Sequence, residues 1–539
     1  MMLICRLFVL NFLLLWQPGT GGANTSINNR IDDIERNGTL PEYEVRALRV
    51  LSQTLQSSST RTLQSSSTQL PLSSPICSED LYAEIKCGST DNTTNGAFRS
   101  VTEINLRGKR LDGSIHYSIG LFKNLEILYL YYNQLSGGIP STLGQLQHLK
   151  YLDLSSNSLT GSIPPSLTKL QNLEYLLLSS NDLDGTIPTN LKGLQSLRLL
   201  DLSHNKLTGP IPDSIGYCQN LTVMDLYNNS LSGRIPKELG KLSELRYLAL
   251  DDNDLHGELP KELGNLINLL FLYLTANNFN GTIPTTYEDL TNLRVFAVGG
   301  NYLSGPIPGY IEKWVNLTAL VLIGNNFEGN LPAKTFSLTK LRKLWVSDVN
   351  NPGISFPPEV IREPNSLFSV VLRNCNINGP IPKYIGKWPK LSYLDLSFNN
   401  LNGSIPETFR NLTKLFLTRN MLTGELPSWI TNNPNKSTVH PTWSFIDEIK
   451  SKKCRRKHNS LFINSGGEGC ILRKGSLFIT MTSISSFNLS PSDDWAYSYA
   501  GDYLTTNFQC QCFSKELVTC EITSAKANID NNFSPCSSL

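Results

Sequence analysis

Residues 148–164 read HLKYLDLSSNSLTGSIP, a line written again as NLEILYLYYNQLSGGIP at 124–140 and as SLRLLDLSHNKLTGPIP at 196–212. One asparagine per copy measures the period. Asn133, Asn157, Asn181, Asn205, Asn229, Asn253, Asn277, Asn301 and Asn325 fall 24 residues apart, and every copy closes on a proline, from Pro140 to Pro332, at the same interval. Self-similarity of this length predicts a solenoid of stacked repeats over residues 101–430.

The template LxxLxLxxNxLxGxIP states its own geometry. Leu152 and Leu154, like Leu200 and Leu202, alternate with polar residues over a short run, the pattern of a strand with one buried face. One such strand per repeat, always entering in the same direction, predicts a parallel sheet. A leucine triplet cannot close a core alone, so each repeat must be covered by its neighbours. Asparagine follows the strand where the chain turns inward. Its amide is expected to bond backbone carbonyls that would otherwise be buried unpaired, at a cost of about 1–3 kcal/mol each. Glycine permits the bend that follows, and proline sets an extended return path where no amide proton is needed.

A net charge of +2 offers no basic field for nucleic acid and no acidic tail. Only 17% of residues are charged, which fits a glycosylated exterior better than a cytosolic enzyme. Twelve Asn-x-Ser/Thr sequons support that, with Asn92, Asn220, Asn280, Asn316, Asn402 and Asn411 as candidate N-glycosylation sites. Of the 11 cysteines, Cys5 lies in the leader, Cys218 in a regular repeat and Cys375 at an asparagine position. The others flank the repeats: Cys77 and Cys87 before them, and Cys454, Cys470, Cys510, Cys512, Cys520 and Cys536 after. In a secreted chain such flanking cysteines read as disulfides rather than metal ligands, and Cys77 with Cys87 is the expected pair.

The 24-residue repeat with LxGxIP resembles that of plant leucine-rich-repeat receptors. The resemblance implies an α/β-type leucine-rich-repeat solenoid, a right-handed curved superhelix whose strands form a parallel concave sheet while LxGxIP adds a short second strand. About 14 repeats are expected, which is roughly 60–70 Å of sheet at the usual spacing.

Residues 1–22 read as a signal peptide, with Arg6, the apolar run LFVLNFLLLW and small residues after it. Residues 23–100 hold a cap. There Thr39, Pro41, Glu42 and Glu44 start a helix whose Val45, Leu48, Leu51 and Leu55 share one face. A comparable helix caps the first repeat in the plant receptors; their tryptophan-containing cap is missing, and TLQSSST occurs twice in its place. The eleventh repeat falters, with Val349 at the asparagine position, and the turn after Pro406 is three residues short. Both breaks read as changes of curvature.

Residues 431–459 form a basic linker. From 460 to 539, SLFINSGGEG and DDWAYSYAGDYLTT resemble the opening of the malectin-like domain of one subgroup of plant receptor kinases, although Ser465 replaces a cysteine. That resemblance implies a partial β-sandwich-like, malectin-like tail and a truncated or alternatively spliced receptor ectodomain, whose full-length parent is a plasma-membrane serine/threonine kinase.

No kinase motif, phosphate-cradling glycine loop or second long apolar run occurs in the chain, so the expectation is a non-enzyme with no catalytic residue, cofactor, metal or membrane span. The histidines, His116, His148, His204, His256, His440 and His458, are scattered singly. Function must then reside in the concave face. Its middle column begins acidic, with Asp153, Asp201 and Asp225 beside Asp251 and Asp252. It turns apolar in repeats eight to eleven, where Phe271, Tyr273, Val295, Ala297, Val321, Ile323 and Trp345 form an expected exposed patch, and Gly299, Gly300 and Gly324 are expected to leave backbone accessible. Expected partners are a peptide, a co-receptor ectodomain or cell-wall carbohydrate. The alternative is a secreted wall protein that binds polysaccharide or inhibits a wall-degrading enzyme such as a polygalacturonase.

Overall fold

The computed structural model describes residues 40–57, 76–77, 84–89, 99–350, 353–357 and 366–425, residues 427 and 429, and beyond these only the backbone of short strands between 439 and 522. The leader, Asn92, most of the low-complexity stretch, the basic linker and the cysteines after the repeats, as side chains, lie outside the described residues. The chain divides into two compact units, residues 1–158 and 159–539.

In the first unit a helix, α1 (Glu42–Thr54), buries Val45, Leu48 and Leu51, and Leu55 follows them into the core. An antiparallel strand, Ile85–Ser89, covers the edge of the first repeat strand, Arg99–Asn105, and Cys77 is joined to Cys87 by a disulfide. An open sheet edge invites pairing with other chains, and this arrangement closes it. Parallel strands then follow in register, Glu103 opposite Ile127 and Ile127 opposite Tyr151.

The second unit repeats that step from Tyr175–Leu177 to Lys414–Phe416, each strand three to five residues long and parallel to the next. Short outer strands such as Asn278–Gly281 and Tyr302–Pro306 form from LxGxIP, where the template glycine sits at positive φ, +75° at Gly281. That is left-handed backbone, which glycine adopts without a Cβ clash.

Between outer and inner strands most of the described repeats make a five-residue 3₁₀ turn, and here glycine serves contact rather than conformation. A Cβ on Gly264 would lie 2.4 Å from the Thr286 carbonyl oxygen of the following turn. Gly264→Ala is therefore expected to destabilise the stack by about 1–3 kcal/mol through overpacking. The urea midpoint of the purified solenoid checks this; an unchanged midpoint contradicts the contact.

Candidate functional site

The asparagine at each repeat makes more bonds than its carbonyl partners alone. Asn277 Nδ2 donates to Leu250 O at 2.9 Å in the preceding repeat, and to Thr275 O at 3.2 Å in its own. Its Oδ1 accepts from the Leu255 amide at 3.0 Å. Asn253, Asn301 and Asn325 repeat the pattern, so a buried ladder of amides ties successive repeats. At Cys375 the thiol approaches Arg373 O at 3.2 Å, and burial raises its pKa well above the ordinary value. Val349 is simply buried.

The residue before each asparagine is left-handed, from Ser180 (φ 55°) through Ala276 (φ 53°) to Phe398 (φ 60°). Gly300 and Gly324 hold the same position at φ 62° and 64°. They relieve backbone strain there. Gly299 is close-packed, since a Cβ on it would lie 3.1 Å from Ile323 Cγ1. The expectation of accessible backbone is thus corrected at Gly299, which is buried, while Gly300 and Gly324 are half-buried.

The acidic half of the face is also more self-contained than its letters suggest. Asp201 Oδ1 accepts from the Ser203 amide at 3.0 Å and from its hydroxyl at 2.7 Å. Beyond the apolar repeats, Asp395 is engaged by the Ser397 amide and hydroxyl in the same way. Burial nevertheless raises the pKa of both carboxyls. The recurring Asp-Leu-Ser was the available signal, and it marks a local hydrogen-bonded loop. His204 likewise has a structural role, with Nδ1 2.8 Å from the Asn228 amide nitrogen and its ring edge-on to Tyr227.

The apolar half differs from expectation in exposure. Tyr273 is only 4% exposed, Ala297 0% and Ile323 4%, and Val295 and Val321 are buried as well. Strands in register set each side chain against those of both flanking strands, so neighbours cover the column. Tyr273 packs between Tyr247 and Phe271, with ring centroids 5.6 and 6.5 Å away. Phe271 and Trp345 remain half-buried, on the first and last strands of the patch.

Lys343, which the sequence reading passed over, joins Trp345. Its Nζ stands 3.2 Å from the indole ring centroid, while Trp345 Nε1 donates to Ser369 Oγ at 2.9 Å. Desolvation pulls the Lys343 pKa down to about 7. The pair presents a cation that gives up its proton readily, on an aromatic platform fixed from behind by a hydroxyl. Among the candidate glycosylation sites, Asn220, Asn280, Asn402 and Asn411 are exposed and Asn316 is half-buried.

Strand, asparagine ladder and glycine turn at a 24-residue period define the leucine-rich-repeat proteins, and the chain belongs to them. The family described as Leucine-rich repeat region matches residues 97–254 and 208–351, and that described as Leucine Rich Repeat matches residues 390–412 and 411–433. The repeats are homologous to those of plant receptor-like kinases. The chain is 35% identical over 193 residues to the "Probable LRR receptor-like serine/threonine-protein kinase" of Arabidopsis thaliana, an alignment that covers 29% of this chain and 18% of the relative. Among solved structures it superposes on the PEPR1–AtPEP1 complex with a TM-score of 0.62 and 32% identity, covering 74% of this chain and 55% of that one. It superposes on the Arabidopsis receptor kinase HAESA, in complex with the peptide hormone IDA and the co-receptor SERK1, with a TM-score of 0.56 and 32% identity, covering 62% and 60%. The chain therefore spans less than two thirds of each of these proteins. Among the described residues no helix is long and apolar enough to cross a membrane.

Proposed function

We propose that the chain is an extracellular recognition module whose concave face at repeats eight to eleven binds a peptide or a partner ectodomain without catalysing a reaction. The observation that carries this is the Trp345–Lys343 pair, with Phe271 at the other end of the same patch. These half-buried groups combine a large apolar payload with a polar handle, the side-chain types that dominate binding energy at interfaces. The buried residues between them, Tyr273, Val295, Ala297, Val321 and Ile323, form the floor that fixes the two anchors. Likeness to receptor ectodomains solved with a peptide hormone and a co-receptor supports the same assignment. The leader motif and sequons support secretion. The motifs after residue 460 support a malectin-like segment, and homology to receptor kinases supports a plasma-membrane parent with a serine/threonine kinase.

An unbiased phage-displayed peptide library panned on the purified ectodomain tests the site. Selected peptides are expected to lose about 100-fold or more in affinity for Phe271→Ser/Trp345→Ser, or about 2.7 kcal/mol. The circular dichroism of that variant should match wild type. Undiminished binding by the folded variant rejects the assignment.

A further inference from the structure

A cavity of about 620 Å³ opens between the 3₁₀ turns Lys383–Lys387 and Glu407–Asn411. Its origin is a missing piece of chain. In a regular repeat four residues, such as Cys218 to Leu221, separate the turn from strand entry; here Leu412 stands alone between Asn411 and Thr413. Strand entry itself is unchanged. The Thr413 and Lys414 amides both donate to Ser392 O, at 2.9 and 3.0 Å, as the Thr222 and Val223 amides do to Arg198 O at 2.8 and 3.1 Å. Three residues are gone, and the space they fill elsewhere remains open.

That space is lined by hydroxyl, amide and charged groups, among them Ser392, Thr408, Lys390 and Thr413, beside the indole of Trp388, which is 6% exposed. The exposed Asn411 stands on its lining, and the whole sequon Asn411-Leu412-Thr413 lies within it. We propose that the cavity seats the first sugars of an N-linked glycan carried by Asn411. In the modification, Asn411 Nδ2 loses a proton and bonds the anomeric carbon of a lipid-linked oligosaccharyl diphosphate. The donor's anomeric C–O bond breaks and the lipid diphosphate leaves. A sugar tethered there has an effective concentration on the order of millimolar, so contacts too weak to hold free saccharide keep it in place. Its hydroxyls meet donors and acceptors while one ring face meets an aromatic, and the volume lies within the roughly 300–1,000 Å³ typical of small-molecule sites.

The inference rests on the reading that the chain is secreted, and the experiment separates the two. Full-length chain secreted from insect cells is treated with peptide N-glycosidase F without denaturant, and glycan loss is followed site by site by mass spectrometry. Asn220 and Asn402, which do not line this cavity, are the reference sites. Asn411 is expected to carry a glycan and to lose it at least about tenfold more slowly than they do, the difference vanishing after denaturation. A bare Asn411 beside occupied reference sites, or release at the same rate, overturns the inference and leaves secretion standing. All three sites bare overturns both.

Discussion

Asn277→Leu is expected to unlatch two repeats at once. The substitution leaves the Leu255 amide without its acceptor in the buried seam between strands and takes from the Leu250 carbonyl one of its two donors, the other being Asn253 Nδ2 at 3.1 Å. The orphaned amide costs about 1–3 kcal/mol, which sets the local loss. Leucine brings apolar volume but no donor or acceptor, and the preceding repeat fails with its neighbour because repeats are stable mainly through shared interfaces. Hydrogen exchange at Leu255 is the direct measure, with a rise of roughly 5- to 150-fold expected under native conditions. Unchanged exchange there would falsify the ladder as the source of cohesion. Asn277→Asp separates the two halves of the role, since it keeps an acceptor for Leu255 and loses the donor to Leu250.

Cleavage of the cap is the second large effect. Glu44 is 0% exposed in α1, yet it is a carboxylate; its Oε2 accepts the Val101 amide at 2.9 Å and its Oε1 is bonded by the Ser100 hydroxyl. It thereby satisfies backbone at the start of the first repeat strand. Glu44→Ala leaves both donors buried without that acceptor and should cost about 2–4 kcal/mol. Native-state tryptic cleavage after Arg46 and Arg49, which requires α1 to open, should accelerate by about 30- to 1,000-fold.

A pH signature accompanies this contact. Burial outweighs the two donors and raises the Glu44 pKa above the ordinary carboxylate value. The folded cap then holds a proton that the unfolded chain has released, so this contribution is present below the unfolded pKa and is lost as pH rises through the folded one. Glu44→Gln should remove that component of the pH dependence while retaining one acceptor for Val101. A variant with the wild-type pH profile would assign the titration to another group.

Much of this architecture is legible in the residues themselves. The 24-residue period, the parallel strands, the glycine bend and the capping helix follow from spacing, because each is local chemistry repeated. The asparagine amide's bonds to carbonyls were legible for the same reason. Its Oδ1 acceptance from the preceding repeat was not, since Leu255 and Asn277 meet only once the repeats stack. The left-handed residue before each asparagine was equally hidden. Tyr132, Ser156, His204, Asp252 and Phe398 share no side-chain property, and only the turn imposes the conformation on them. Glu44 was legible as a helix-start carboxylate, while its grip on the first repeat strand required the cap to be folded.

The candidate binding face divides in the same way. Spacing placed Phe271, Tyr273, Val295, Ala297, Val321, Ile323 and Trp345 on one face, and the strand register sets them in adjacent columns, Tyr273, Ala297, Val321 and Trp345 in one and Phe271, Val295 and Lys343 in the next. Exposure was decided by neighbours. Side chains packed against flanking strands hide most of their area, and only Phe271 and Trp345 stay half open, with Lys343 drawn onto the Trp345 ring. The three residues lost after Pro406 were countable in one dimension, but where the gap fell depended on Ser392 O still receiving two amides from the next strand. Thus the sequence alone determined the repeat, its strands and the polar residue that closes each turn, because those depend on contacts within 24 residues. Tertiary structure decided burial, the ladder between repeats and the cavity beside Asn411, because each arises from the fit of one repeat against another.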